Sequence, residues 1–156
     1  MKIAVLSDIH GNLPALSAVL EDIPKFDAIV CCGDIVGYYP DVNEVCNILR
    51  ERNVFTVRGN HDAYLSGVLT PIIEKQTSYR SEWTRDRLNS DNFSWLESLP
   101  TEIIFSWDGS DIHLRHASPW DEVTYLYPDS KRLLEIKLRK GEYLFLGHTH
   151  HPMWIN

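Results

Sequence analysis

Seven residues able to bind a metal ion stand in five clusters along this chain. They are Asp8 with His10, Asp34, Asn60, His116, and His148 with His150; a further histidine, His61, follows Asn60. Carboxylate oxygen and imidazole nitrogen together suit borderline divalent ions such as Mn²⁺, Fe²⁺, Co²⁺, Ni²⁺ or Zn²⁺. Two Asp, four His and one Asn are too many ligands for one tetrahedral zinc, and the set contains no cysteine. It is about right for two ions that share a bridging ligand. Two carboxylates facing two divalent ions leave a positive surplus even after a bridging hydroxide is counted. That surplus suits an anionic phosphate ester.

The elements that must position these residues are legible in outline. Residues 2–6, 28–32, 54–57 and 143–146 are continuous apolar runs of strand length, the pattern of strands covered on both faces. Helices are predicted from about Pro14 to Glu21, with Leu13, Leu16, Val19 and Leu20 on one face. A second spans Val42 to Glu51, capped by Asp41 and buried through Val45, Ile48 and Leu49. Others are expected near 80–88, near 92–98, and from Ser130 to Lys140, stopping at Gly141. Ile103 to Trp107, Asp108-Gly109 and Ser110 to Arg115 read as a β-hairpin with a two-residue turn. Residues 62–79, with Gly67 and Pro71, read as a loop or cap. Each metal-binding cluster follows a β-type run within a few residues. Ligands in open α/β sheets gather beyond the carboxyl ends of strands, so the five clusters are expected to converge on one edge.

Composition narrows the function classes. At 156 residues one domain over 1–156 is the default, and 44% hydrophobic residues are enough to fill a core. The chain has 15 Lys+Arg against 22 Asp+Glu, a formal charge of −7. An acidic balance argues against a sequence-independent grip on nucleic-acid backbone. No apolar run reaches membrane-spanning length, and the opening run is too short for a signal-peptide core, so a cytoplasmic location is expected. Cys31, Cys32 and Cys46 suggest no disulfide framework and read as small buried hydrophobes. No Gly-x-x-x-x-Gly-Lys or Gly-x-Gly-x-x-Gly loop occurs, which removes a nucleotide switch.

In order along the chain, Ser7-Asp8-Ile9-His10-Gly11-Asn12, Gly33-Asp34, Gly59-Asn60-His61-Asp62, His116 and Gly147-His148-Thr149-His150 resemble the calcineurin-like metallophosphoesterase signature. The stretch Gly33-Asp34-Ile35-Val36-Gly37-Tyr38 is further similar to the small bacterial and archaeal phosphodiesterase branch. The resemblance implies an α/β fold, a two-sheet αββα sandwich. It implies one metal held by Asp8, His10, Asp34 and His150, and a second by Asp34, Asn60, His116 and His148, with Asp34 bridging. Mn²⁺ is the preferred ion among Mn, Fe, Ni, Co and Zn. The reaction implied is hydrolysis of a small phosphate ester by a metal-bridging hydroxide, with His61 protonating the leaving oxygen. A diester is favoured over a monoester. Arg58 could contact phosphate, and a solvated arginine is the equal alternative; Asp62 could orient His61 or cap a helix. His113 and His151 fit no family position, and Trp83, Trp107 and Trp120 are the tryptophans that could reach substrate.

Two departures bear on the resemblance. His116 precedes Ala117-Ser118-Pro119 where relatives have His-Gly, and alanine there is expected to perturb that ligand slightly. Relatives generally continue past the last motif into further strands and an Asn-Pro-Gly-Ser turn. The sequence ends at Asn156, so the expectation is a sandwich without its last C-terminal strands. An unpaired sheet edge would then favour a homo-oligomer. The alternative function is a catalytically inactive metal-binding scaffold or interaction module of the same fold; the presence of His61 favours the enzyme.

Overall fold

The computed structural model describes residues 2–156 apart from Pro24. Its first sheet is parallel, with β1 (Ile3–Leu6) and β3 (Phe55–Thr56) flanking β2 (Ala28–Cys31). Parallel neighbours need a crossover. Helices α1 (Leu13–Asp22) and α2 (Val42–Glu51) supply the two in this sheet. The second sheet is mixed. A hairpin of β4 (Ile103–Trp107) and β5 (Ser110–Leu114) pairs along β5 with a parallel β6 (Glu142–Phe145). The turn residues Asp108 and Gly109 both take positive φ, 54° and 76°, as a two-residue hairpin loop of the primed type demands.

β2 explains how the layers join. Its alternate side chains face opposite ways. Ile29 and Cys31 pack with Leu16, Val45, Cys46, Leu49 and Leu96 on the helical side. Val30, with the neighbouring Cys32, packs with Val57, Ile112 and Leu114, which closes the two sheets on each other. Among the described strands β2 alone is buried along its full length, so the expectation of strands covered on both faces holds there and fails beside it. Val5 and Phe55 are 41% and 45% exposed because β1 and β3 are the outer strands of a three-stranded sheet.

Helices depart from expectation in four places. Val19 is exposed, so the buried face of α1 rests on Leu16, with Leu13 and Leu20 half-buried. Asp41 occupies the N-cap of α2 without a side-chain bond; its carbonyl accepts the Val45 N–H instead. Residues 62–79 are more ordered than a loop, with α3 (Asn60–Ser66), a 3₁₀ turn at Ile73–Lys75 and α4 (Gln76–Tyr79). α5 (Ser81–Arg85) and α6 (Ser90–Ser98) follow. The helix expected over 130–140 is a 3₁₀ turn at Lys131–Glu135, continuing extended from Ile136. Extension lets Ile136 and Leu138 line a cleft of roughly 220 Å³ with His113 and Leu144 of the second sheet.

Candidate metal centre

Every sequence-predicted ligand lies within five residues of a strand's carboxyl end. Asp8 and His10 follow β1, Asp34 follows β2, Asn60 follows β3, His116 follows β5, and His148 and His150 follow β6. The chain makes sharp corners to hold them there. Asp8, His10, Asp34, His148 and His150 all have φ between 53° and 70°, the left-handed region that side chains ordinarily avoid. Such conformations persist only where surrounding structure fixes them, and they cluster at functional sites. Backbone bonds provide that fixing: the Asp8 N–H donates to the Gly33 carbonyl, and the His10 N–H to the Asp34 carbonyl.

The ligand atoms converge in linked groups. Asp8, His10 and His150 form one, Asp34, His116 and His148 another, and Asp34 reaches His10 as well. His116 Nε2 stands 3.4 Å from Asp34 Oδ2 and 2.9 Å from Asn60 Oδ1. His10 Nε2 stands 3.7 Å from Asp34 Oδ2 and 3.2 Å from His150 Nε2, which is 3.3 Å from Asp8 Oδ1. Asp34 therefore sits between the two groups, as a bridging ligand would.

The outer ring nitrogens decide what faces inward. His10 Nδ1 donates to the Val36 carbonyl at 3.0 Å, His116 Nδ1 to the Cys32 carbonyl at 2.7 Å, and His148 Nε2 to the Val123 carbonyl at 3.2 Å. A carbonyl can only accept, so the proton is fixed on the outer nitrogen and the other nitrogen is left for the cluster. This is the support that metal-bound histidines characteristically have. The donor set and its outer bonds fit divalent metal at both groups.

Electrostatics agree with a site built for positive charge. Burial opposes ionisation of Asp34, yet His116, His61 and His10 beside it hold its carboxyl below the usual range. Burial would lower His116, but the Asp34 charge and hydrogen bond raise it to about 9. Burial pushes His10 and His148 down, and His61 down to about 4 against the pull of Asp34. The His116 imidazole and the Asp34 carboxylate thus form a charge pair within the cluster.

His61 lies within the same space, close enough to His10 and Asp34 to join a ligand group. Its backbone N–H donates to Asp34 Oδ1 at 2.8 Å, and its Nδ1 is buried without a partner. Asp62 does not touch the His61 ring. It occupies the third position of α3, and its carboxylate accepts N–H bonds from Gly59, Asp34, Ile35 and Val36, between 2.9 and 3.2 Å. Asp62 thus pins the loop whose Asp34 and Val36 organise the cluster. Arg58 is engaged elsewhere, with Nε and Nη2 both 2.9 Å from Glu122 Oε1.

The tryptophans also have other partners. Trp83 lies under Arg87, Trp120 under Arg132, and Trp107 beside Phe105. The rings that touch the cluster are tyrosines, which the sequence reading passed over. Tyr38 packs 4.6 Å from His10, Tyr79 4.3 Å from His61 and Tyr125 3.9 Å from His148, centroid to centroid. Only Tyr38 had a sequence signal, its place in the stretch from Gly33 to Tyr38. Ala117 is fully buried and is not among the residues with positive φ, so this position does not need glycine's freedom.

The family model described as the calcineurin-like phosphoesterase superfamily domain matches residues 1–156. The chain belongs to this superfamily. An uncharacterised protein of Methanocaldococcus jannaschii is 37% identical over 158 residues, covering 96% of this chain and 63% of that protein. The crystal structure of a metallophosphoesterase from Sphaerobacter thermophilus is 33% identical with a TM-score of 0.75, covering 96% of this chain and 61% of that one. A symmetrical bis(5′-nucleosyl)-tetraphosphatase of Baumannia cicadellinicola is 29% identical over 107 residues, 65% of this chain and 33% of that enzyme. The chain spans less than two-thirds of the length of each. The α/β fold with two sheets is that of the metallophosphoesterases. Among the described residues no helix is long and apolar enough to cross a membrane.

Proposed function

We propose that this calcineurin-like phosphoesterase hydrolyses phosphodiesters at a dinuclear divalent metal centre. The observation that carries the reading is the arrangement of His10, His116 and His148. His10 and His116 each have the outer nitrogen on a backbone carbonyl and the inner nitrogen 3.7 and 3.4 Å from Asp34 Oδ2, and His148, its Nε2 on the Val123 carbonyl, stands in one group with Asp34 and His116. In this reading Asp8, His10, Asp34 and His150 hold one ion, and Asp34, Asn60, His116 and His148 the other. Such a pair of ions supplies a nucleophilic water at neutral pH and neutralises charge on phosphoryl oxygens.

The chain's own residues would do the rest. Asp34 is kept ionised by His116, His61 and His10 beside it, and is oriented by the His61 N–H and by the bonds of Asp62 to its loop. His61 serves as proton donor to the leaving oxygen. Burial keeps His61 neutral in the free protein, and the negative charge of a bound ester would raise its proton affinity. A dianionic monoester would call for a free cationic side chain, and Arg58 already pairs with Glu122. That supports a diester.

The test is hydrolysis of bis(p-nitrophenyl) phosphate and p-nitrophenyl phosphate by metal-stripped protein reloaded with Mn²⁺. Expected results are about two ions bound per chain, metal-dependent turnover, and a higher kcat/KM for the diester. His61→Ala should lower kcat for an alkyl diester by roughly 10²–10⁴-fold, and less for nitrophenolate, which needs no proton on leaving. Two bound ions without turnover of any ester would favour the metal-binding scaffold instead.

A further inference from the structure

Among the described residues of the stretch 72–80, Tyr79 alone is buried. Ile72 and Ile73 are 60% and 79% exposed, while Tyr79 is 7% exposed. Two isoleucines left in solvent beside a tyrosine drawn inward reverse the usual preference of these side chains. The chain turns sharply at that point, where Arg80, closing α4, takes a left-handed φ of 56°. The Tyr79 ring lies 4.3 Å from that of His61, stacks on Tyr64 at 5.7 Å and 8°, and meets Tyr38 edge-on at 5.9 Å. Tyr64 stands three residues after His61 on α3, so one helix presents both rings to Tyr79. Tyr38 and His10 complete the enclosure, 4.9 and 4.7 Å from the His61 ring.

We propose that Tyr79 is a positioning residue for the proton donor: its ring, braced by Tyr64, holds the His61 imidazole at the angle from which it reaches the leaving oxygen. This rests on the hydrolytic reading of the metal centre, in which His61 gives that proton. Among the described residues no hydrogen bond orients the His61 ring. Its Nδ1 is buried without a partner, and the neighbouring Asp62 carboxylate is taken up by four backbone N–H groups. Gly37 closes that side, where a Cβ would stand 2.6 Å from Nδ1, so Nε2 is the nitrogen left to donate. The torsion that swings an imidazole about its Cβ–Cγ bond is broad. A ring without hydrogen bonds therefore keeps one angle only where close-packed neighbours wall it in. Proton transfer needs heavy atoms within about 2.6–3.2 Å, and a misplacement of about 1 Å can cost about 10²-fold. Tyr79 reaches His61 without touching the metal-binding set: its ring neighbours are His61, Tyr38 and Tyr64, none a proposed ligand. Tyr38, by contrast, packs on His10 as well.

The test separates leaving groups that need the proton from those that do not. Phenolate leaving from ethyl phenyl phosphate gains from protonation, whereas nitrophenolate leaving from ethyl p-nitrophenyl phosphate does not. Tyr79→Leu keeps most of the buried volume but offers no flat face. It should lower the kcat ratio of the phenyl to the nitrophenyl ester at least about 10-fold in Mn²⁺-loaded protein, and Tyr79→Phe should keep that ratio. On a His61→Ala background Tyr79→Leu should move the ratio no further, because its effect runs through His61. A second readout needs no turnover. Carbon-13 relaxation of the His61 Cε1–H group in Zn²⁺-loaded protein should give an order parameter that falls below about 0.6 in Tyr79→Leu and stays high in Tyr79→Phe. A ratio untouched by Tyr79→Leu, a ring that stays ordered in that variant, or a fall that persists in full on the His61→Ala background each overturns the proposal. Ring order lost in Tyr79→Leu, where the unaltered protein hydrolyses neither ester, upholds Tyr79 as the residue that holds His61 and rejects the hydrolytic reading.

Discussion

Asp62 carries a buried carboxylate whose four backbone N–H partners come from two segments of chain, Gly59 and residues 34–36. An amide can accept at only one of its two ends, so Asp62→Asn sets an NH₂ group against backbone donors. Leaving buried donors unmet costs about 1–3 kcal/mol each. Asp62→Asn should therefore lower unfolding free energy by roughly 2–4 kcal/mol, read by urea denaturation. A change below about 0.5 kcal/mol would mean that the loop holds its shape without Asp62. Gly147 shows a second residue-scale constraint. A Cβ there would collide with Ser7 Oγ and stand 2.6 Å from Asp8 Oδ2. Gly147→Ala should displace Asp8 and weaken metal binding at least 10-fold by competition with a chelator, whereas Gly67→Ala, whose Cβ meets nothing within 4 Å, should leave metal affinity alone.

At the scale of elements, the segment 117–129 contains no helix or strand and is ordered by side-chain anchors. Leu126 is its apolar anchor, and a buried Leu→Ala exchange costs about 2–5 kcal/mol. Leu126→Ala should therefore raise the rate of proteolytic cleavage within 117–129 well above that at α1 or α2. Asp121 is its polar anchor. Burial opposes ionisation, but the Thr124 hydroxyl, the N–H groups of Val123 and Thr124, and Arg132 hold its carboxyl below the ordinary range. A carboxyl lowered by folding stabilises above its unfolded pKa and loses that contribution as pH falls through the folded value. Amide exchange at Val123 and Thr124 should thus accelerate relative to the core below about pH 4, the ordinary value for aspartate. Asp121→Asn should remove that acid-dependent step. An acid step that persists in the variant would assign it to another group.

Across the whole molecule, the two sheets and the helical layer enclose all three cysteines. Cys31, Cys32 and Cys46 are fully buried, and burial raises Cys32 to about 12 and pushes Cys31 and Cys46 well above the ordinary thiol range. The thiolate is the reactive form. Native protein should show no modification by a disulfide reagent over hours at pH 8, and three equivalents in denaturant. Rapid labelling of Cys31 or Cys32 would report opening between the sheets, because β2 lies at the centre of both cores.

Much of this was legible from the residues in order. The seven ligand candidates, the strands that precede them and the Asp108-Gly109 turn follow from local rules: apolar runs, turn chemistry and donor type. Local rules misread 130–140 because Ile136 and Leu138 satisfy a helical pattern and a two-residue alternation alike. The second sheet's outer face decided in favour of extension. Likewise, β1, β3 and β6 read as doubly covered strands, and only the count of neighbours in each sheet left Val5, Phe55 and Tyr143 exposed. Side-chain partners were beyond the sequence for the same reason. Arg58 lies beside the Asn60 motif in the chain, yet its guanidinium was claimed by Glu122, 64 residues away. Asp62 was drawn to backbone N–H groups of another segment, and tyrosines from positions 38, 79 and 125 gathered on three different histidines. The sequence by itself determined which atoms could bind a metal and at which strand ends they lie. Tertiary structure alone decided which nitrogen His10 and His116 turn inward, because that choice belongs to carbonyls contributed by distant segments of the chain.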